Sequence, residues 1–177
     1  MTDHSAEYMG IEIGDRCEVF RTFEPDNPLF CRVLGISNEW IIADRRSVDG
    51  EQFGLTLFRL DSIWKLRFET NRIRRIFEQD SKLKFPKVPE GALSSTLFHE
   101  IEALYGALTL YCESLELDVV SIGSVTEVRG DIVVINEYRP LASPERNRCV
   151  LLIHEITRLE AGGDYERRLL ESYGTPS

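Results

Sequence analysis

Residues 58–66, Phe58-Arg59-Leu60-Asp61-Ser62-Ile63-Trp64-Lys65-Leu66, decide how the chain is organised, because their second half recurs 93 residues later. At that offset Ile63-Trp64-Lys65-Leu66 aligns with Ile156-Thr157-Arg158-Leu159, and residues 74–78 align with residues 167–171. Self-similarity at a fixed spacing is the signature of an internal repeat. We therefore predict two copies of one small unit, produced by duplication.

Each copy is predicted to be built from short strands. Alternating apolar and polar residues indicate half-buried strands, and Asp49-Gly50 is a strong hairpin signal. In the first copy this pattern predicts strands at 11–20, 29–36, 40–44, 53–60 and 63–68, turns at 24–28, 37–39 and 47–50, and a short helix at 71–78. In the second copy it predicts strands at 119–128, 131–138, 148–153 and 156–160, then a helix at 165–173.

The stretch between the copies is predicted to be a linker followed by one helix. Pro86 and Pro89 mark the linker, and residues 94–96 offer Ser and Thr as helix N-caps. Apolar residues at helical spacing then favour a helix over 97–115, with Gly106 inside it. The predicted boundaries are 1–80 for the first repeat with its N-terminal strand and closing helix, 81–115 for the linker and helix, and 116–177 for the second repeat.

Composition and charge narrow the classes of function. The 177 residues are 42% hydrophobic and 29% charged, which is typical of a globular protein. The net charge of −9 argues against DNA binding and against general RNA binding, because affinity for nucleic acid rests on neutralising phosphates. The four cysteines form no CxxC pair, so neither a disulfide scaffold nor a zinc site is expected.

The same survey favours a cytoplasmic protein that makes no contact with a membrane. The chain starts with an acidic, polar segment, and no run of about 18 apolar residues occurs anywhere. The three histidines, at positions 4, 99 and 154, show no metal-ligand spacing, and no nucleophile motif or glycine-rich phosphate loop is present. We predict no cofactor and no enzymatic activity.

The order of signals resembles that of Sm-like, or SH3-like, barrels: a strand pair, a turn with glycine, a long strand and a short last strand. Residues 58–66 and 152–159 look like the second Sm signature. The chain also resembles uncharacterised bacterial proteins with a tandem Sm-like barrel, through Gly35 or Gly123, Trp40, Asp49-Gly50, Gly54 and residues 59–63. The resemblance implies a mainly β fold with accessory α: two tandem small barrels joined by a linker and one helix.

The sequence departs from the RNA-binding members of that family in its charge. Their second signature carries Arg-Gly, whereas this chain has Arg59-Leu60-Asp61 and Ile153-His154-Glu155. An acid therefore stands where a phosphate or base would sit. The resemblance implies the fold, and it leaves RNA binding disfavoured.

One run of basic residues is a candidate anion or partner patch. Its members are Lys65, Arg67, Arg72, Arg74 and Arg75, with Glu69 among them. The alternative is a solvated face of a strand and short helix, which the recurrence of Arg-Arg in the acidic second repeat favours. Trp40, Trp64 and Phe68 can stack on bases, but aromatics at alternating positions of strands are more often core residues.

Three functions follow from these observations. The first is a binding or assembly module that acts by protein–protein interaction or self-association, since open barrel edges can be extended by a partner strand. The second is an RNA-binding regulator of the Sm-like type. The third is a small-ligand binder or an enzyme with a site between the barrels.

Overall fold

The computed structural model describes residues 10–78, 83, 95–117, 119–138 and 147–173. It divides the chain into two compact units, Met1–Ala92 and Leu93–Ser177. Strands dominate both units, and their described ladders are antiparallel. The predicted mainly β class is therefore confirmed. The prolines of the predicted linker lie outside the described residues.

Among the residues that the structure describes, the first unit contains five strands and a closing helix. The strands are β1 (Arg16–Arg21), β2 (Glu24–Ile36), β3 (Trp40–Arg46), β4 (Gln52–Arg59) and β5 (Ile63–Phe68). A 3-10 helix, Leu60–Ser62, joins β4 to β5, and helix α1 (Asn71–Ile76) follows β5. The strand order within the unit is β5-β1-β2-β3-β4.

The turn between β3 and β4 has the chemistry that its sequence predicts. Gly50 adopts φ +86°, a left-handed conformation that glycine tolerates without steric cost. The Ser47 hydroxyl accepts the backbone N–H of Asp49 at 3.2 Å and that of Glu51 at 3.0 Å. The Asp-Gly signal thus marks a real hairpin turn, and side-chain hydrogen bonds hold it closed.

Two apolar clusters hold the first unit together. The inner faces of the strands form one cluster, while α1 covers the outer side of β2 with a second. The outer cluster joins Phe30 to Ile73, Ile76 and Phe77. The inner cluster contains Ile11, Cys17, Val19, Cys31, Val33, Ile41, Ala43, Phe58, Leu60 and Ile63.

The second unit also contains five strands. Helix α2 (Ser95–Tyr105) precedes β6 (Leu108–Tyr111), β7 (Val120–Arg129), β8 (Ile132–Glu137), β9 (Asn147–Leu152) and β10 (Arg158–Ala161). A 3-10 helix, Ile153–Glu155, joins β9 to β10, and helix α3 (Asp164–Tyr173) follows. The strand order is β10-β6-β7-β8-β9, the same as in the first unit. Closed barrels and a shared origin of the units stay predictions.

The long helix predicted for 97–115 is wrong in its second half. The helix ends at Tyr105, and Gly106 adopts φ +80°. A left-handed glycine directly after the last helical residue is a common helix C-terminus. The chain then enters strand β6, which pairs with β7 and β10. Helix α2 and β6 both belong to the second compact unit, Leu93–Ser177, and the three boundaries given by the sequence stay predictions.

The turn predicted for residues 24–28 is also displaced. The chain reverses at Thr22 and Phe23, and residues 24–28 belong to β2. The register of β1 with β2 shifts from Val19↔Leu29 to Arg21↔Glu24, so residues 25–28 lie in an irregular part of the ladder. Proline is tolerated at such irregularities because its missing N–H breaks no regular ladder.

Candidate functional site

Two of the five predicted basic residues lie on β5, next to aromatic rings. The Lys65 ammonium nitrogen lies 4.4 Å from the centroid of the Phe20 ring and 5.3 Å from that of Trp64. The guanidinium carbon of Arg67 lies 5.1 Å from the Phe20 centroid. Trp64 meets Phe20 edge-on and is 53% exposed. We call these four residues the β5 surface; it combines cation–π contacts with an accessible indole.

Arg67 also neutralises a buried carboxylate. Its guanidinium lies 3.1 Å from Glu18, which is 4% exposed. The Thr70 hydroxyl donates to the other oxygen of Glu18 at 3.4 Å. A buried charge needs such partners because leaving it unpaired is costly. Arg67 is therefore in part a structural residue and is less available to an external anion.

The other three basic residues lie on α1, which is capped by Thr70. The Thr70 hydroxyl accepts the backbone N–H of Ile73 at 3.2 Å. Arg74 pairs with Glu69 at 3.0 Å, and both side chains are exposed. Glu69 itself has φ +51°. An exposed pair of this kind contributes little to stability, but it reduces the positive charge that Arg74 presents to solvent.

Arg72 and Arg75 line a cleft between α1 and the β3–β4 turn. The guanidinium carbon of Arg72 lies 4.5 Å from the centroid of the Phe30 ring. The cleft has a volume of about 370 Å³. We call it the α1 cleft; its lining consists of Val48, Asp49, Asn71, Arg72, Arg75 and Ile76.

The five predicted residues thus occupy three settings: the β5 surface, an exposed ion pair and the α1 cleft. Sequence reasoning missed Phe20 and Phe30, which hold the cations, and Asp49, which lies across the cleft. The sequence marks Asp49 only as part of a turn signal. The contacts between these cations and rings span up to 47 positions of sequence, from Phe20 to Arg67, so no local pattern reveals them.

A different accessible surface lies on strand β9, which ends the strand order of the second unit. Exposure alternates along β9, and the outward residues are Arg148, Val150 at 56% and Leu152 at 46%. Natural proteins protect sheet edges with proline and charged side chains; this strand contains no proline, and Arg148 is its single charged residue. We call it the β9 edge.

An apolar groove of about 300 Å³ lies in the second unit, where its wall includes Leu151 of β9. Two of its other residues, Leu115 and Val119, are 66% and 54% exposed. Exposed apolar residues that cluster around a groove are typical of an interaction surface. We call it the β9 groove; its lining is Leu110, Cys112, Leu115, Glu116, Val119, Ser121 and Leu151.

Exposure of the last two strands is reversed between the units. In the first unit β4 is mostly buried, whereas its counterpart β9 is half exposed. In the second unit β10 is mostly buried, whereas its counterpart β5 is partly exposed. At matching positions, Trp64 is 53% exposed and Thr157 is 0% exposed. The more exposed strand is therefore β5 in the first unit and β9 in the second.

The two histidines that the structure describes, His99 and His154, both contact carboxylates. His154 contacts Asp131 through Nδ1 and lies 3.3 Å from Glu155 through Nε2. His99 lies 3.8 Å from Glu102. Across the described ranges, no cluster of three or more His, Cys, Asp or Glu side chains is arranged to hold a metal ion.

Burial alters two titratable groups. It raises the pKa of the Cys17 thiol to about 12, with Asp15 and Glu18 adding to the effect, so this thiol stays protonated and unreactive. Burial also raises the pKa of Glu102, opposed by the 2.8 Å hydrogen bond from the backbone N–H of Val125 and by His99. All four cysteines are free.

Comparison of the chain with protein-family models, with curated proteins and with solved structures finds no match. Among the helices that the structure describes, none has the length and apolar character needed to cross a membrane.

Proposed function

We propose that this protein is a non-enzymatic assembly module of the cytoplasm, which associates with further copies of itself through its sheet edges. In this proposal the β9 edge of one copy adds to β5 of the next. The two units are duplicates of one Sm-like or SH3-like barrel. Their common strand order and the matching 3-10 helices, Leu60–Ser62 and Ile153–Glu155, support this origin.

The β9 edge is the observation that carries the proposal. It ends its strand order, alternates exposed and half-buried residues, and presents Val150 and Leu152 to solvent. A partner strand that pairs with such an edge gains main-chain hydrogen bonds, and pockets beside the edge select its alternate side chains. The β9 groove, whose wall includes Leu151, supplies such a pocket.

The charge of the units favours a head-to-tail arrangement. Over the described residues the first unit has twelve Asp and Glu against eleven Lys and Arg, and the second has twelve against five. The cations of β5, Lys65 and Arg67, would therefore meet an acidic unit. Charge of opposite sign speeds association and fixes its register. Unlike edges in contact produce a ring or a filament.

RNA binding is the weaker alternative. Arg67 and Arg74 are paired with Glu18 and Glu69, which leaves few cations for phosphates. Asp61 is 2.6 Å from Arg59 at the position that carries Arg-Gly in RNA-binding Sm proteins. We expect no binding of generic single-stranded RNA at about 0.15 M salt, the physiological range.

The test is the mass in solution as a function of protein concentration, by light scattering or sedimentation. We expect the wild-type protein to form assemblies larger than one chain. Val150→Lys combined with Leu152→Lys should abolish them without unfolding the protein, because both side chains are exposed. Ile13→Lys is the matched control, since Ile13 is 70% exposed and lies outside the strands.

A mixing experiment distinguishes head-to-tail pairing from other contacts. A β5-blocked variant, Trp64→Lys, keeps the β9 edge, and the β9-blocked variant keeps β5. Each variant alone should be monomeric, whereas an equimolar mixture should form a dimer. A monomeric wild type, or a mixture that stays monomeric while the wild type assembles, contradicts the arrangement.

A further inference from the structure

The α1 cleft has the lining of a small-molecule site, and nothing in the proposed assembly uses it. Its volume of about 370 Å³ lies in the range of ligand pockets, roughly 300–1,000 Å³. One wall is the β3–β4 turn with Val48 and Asp49. The other wall is α1 with Asn71, Arg72 and Arg75.

The two arginines give the cleft a positive wall. They lie three positions apart on α1, so they share one side of the helix. Arg72 is positioned by its contact with Phe30, and within the described part of the chain Arg75 forms no ion pair. Arg74, between them, is engaged by Glu69 instead. Two guanidinium groups therefore remain for one anion.

Hydrogen bonds hold both walls of the cleft. Ser47 closes the turn through three hydrogen bonds: its hydroxyl accepts the backbone N–H groups of Asp49 and Glu51, and its own backbone N–H donates to the Glu51 carbonyl at 2.7 Å. The end of α1 is held by Arg46, whose guanidinium donates to the Ile76 carbonyl at 3.3 Å. A site that is already formed loses little conformational entropy on binding.

We infer that the α1 cleft binds a small phosphate monoester that carries hydroxyl groups, the chemistry shared by sugar phosphates and nucleoside monophosphates. Arginine guanidinium groups match phosphate oxygens in geometry and charge. The carboxylate of Asp49 accepts hydrogen bonds from ligand hydroxyls and repels a second phosphate. The apolar atoms of Val48 and Ile76 provide a wall for the uncharged part of the ligand.

The carboxylate of Asp49 in the lining favours a phosphate monoester over a nucleic-acid chain. A polyanion would place further phosphates against Asp49, in a chain that carries a net −9. A monoester places its single phosphate on the arginines and its hydroxyls on the acid. This inference is independent of the assembly proposal, because β9 contributes no residue to the cleft.

Binding is measured by calorimetry or by NMR titration of the full chain with ribose 5-phosphate, adenosine monophosphate and inorganic phosphate in low salt. We expect at least one of the two monoesters to bind at least tenfold more tightly than inorganic phosphate. Arg72→Ala and Arg75→Ala should each weaken binding of that monoester tenfold or more. Arg74→Ala, the matched control on the same helix, should change it by less than twofold.

The conservative variant Arg75→Lys keeps the charge and loses the planar fork, so it should weaken binding without affecting the fold. Absence of binding of either monoester at millimolar concentration overturns the inference. So does equal weakening by Arg74→Ala, which would indicate a diffuse charge effect. Binding of a single-stranded RNA more tightly than the monoesters overturns the ligand class.

Discussion

Strands β4 and β9 have the same place in the strand order of their units, and each is followed by a 3-10 helix and a buried isoleucine. Their surroundings differ. Leu57 and Phe58 on β4 are both 0% exposed, whereas Val150, at the position that matches Leu57, is 56% exposed. The matching partner of Phe58 is the half-buried Leu151, which lines the β9 groove.

This difference teaches that the two units are similar in sequence where their side chains are buried. Ile63 and Ile156 match in type and in burial, at 4% and 0% exposure. Along the preceding strands, β4 and β9, the residue types differ, and the exposure of the side chains differs as well. The two units thus match at these core positions and differ in how much of β4 and β9 is exposed. Substitutions in the two strands test how differently they are covered.

The largest effect is expected for truncation of the two matching inward residues. Phe58→Ala should lower the free energy of unfolding by about 3–5 kcal/mol, because it empties a fully buried site. Leu151→Ala should cost less, about 1 kcal/mol, since Leu151 is half-buried in the wall of a groove. Urea unfolding of both variants measures the difference. Equal losses would mean that β9 is as well covered as β4.

The next effect concerns the feature that the units share. Ile63→Ala and Ile156→Ala should each cost about 2–5 kcal/mol, as buried isoleucines do. The control is Ile13→Ala at a 70% exposed position, which should change stability by less than about 0.5 kcal/mol. A cost below about 1 kcal/mol for either buried isoleucine would show that the register of its strand is wrong and would break the comparison.

The smallest effect is expected for the pH dependence of stability that Glu102 causes. Glu102 lies on α2, which precedes the strands of the second unit. Because its pKa is raised in the native state, the native state binds more protons than the unfolded state over the interval above the ordinary value of 4.5. The free energy of unfolding therefore falls as the pH rises through this interval. Glu102→Gln should remove that part of the pH dependence while an amide oxygen still accepts the N–H of Val125.

The measurement is urea unfolding at several pH values between about 4.5 and 7, the range above the ordinary value for glutamate. Glu100→Gln is the control, because Glu100 lies on the same helix and is exposed. A wild-type curve identical to that of Glu102→Gln across the range would show that burial of this carboxylate has no cost.

The positions of most strands along the chain were predictable, because they depend on local alternation and on turn residues. The turn at 47–50, the strand Ile63–Phe68 and the helix after it lie where the sequence places them. Strand β6 was missed, since Leu104 and Leu108 continue the helical spacing of α2. Gly106 was the signal that the sequence offered, because a glycine at a left-handed φ commonly ends a helix. The pattern of apolar residues alone does not show this end.

The sequence predicted which face of a strand is buried, but it did not predict how completely each side chain on that face is buried. The apolar pattern of the predicted strands favours ten core positions. Seven of them, Val33, Ile41, Leu57, Ile63, Val134, Ile156 and Leu159, are buried, whereas the other three, Leu66, Ile132 and Leu151, are half-buried. Alternation along a strand tells which side chains point the same way. It does not tell what lies above them, because the covering residues come from distant parts of the chain.

The sequence by itself determined a mainly β chain with two similar units, an acidic charge and one run of basic residues. Only the tertiary structure decided how those basic residues divide, with Lys65 over Phe20, Arg74 on Glu69, and Arg72 beside Arg75 in a cleft. The physical reason is range. Hydrophobic periodicity and turn chemistry act over a few residues, whereas a cleft, an ion pair or an uncovered edge depends on which distant residues the fold brings together.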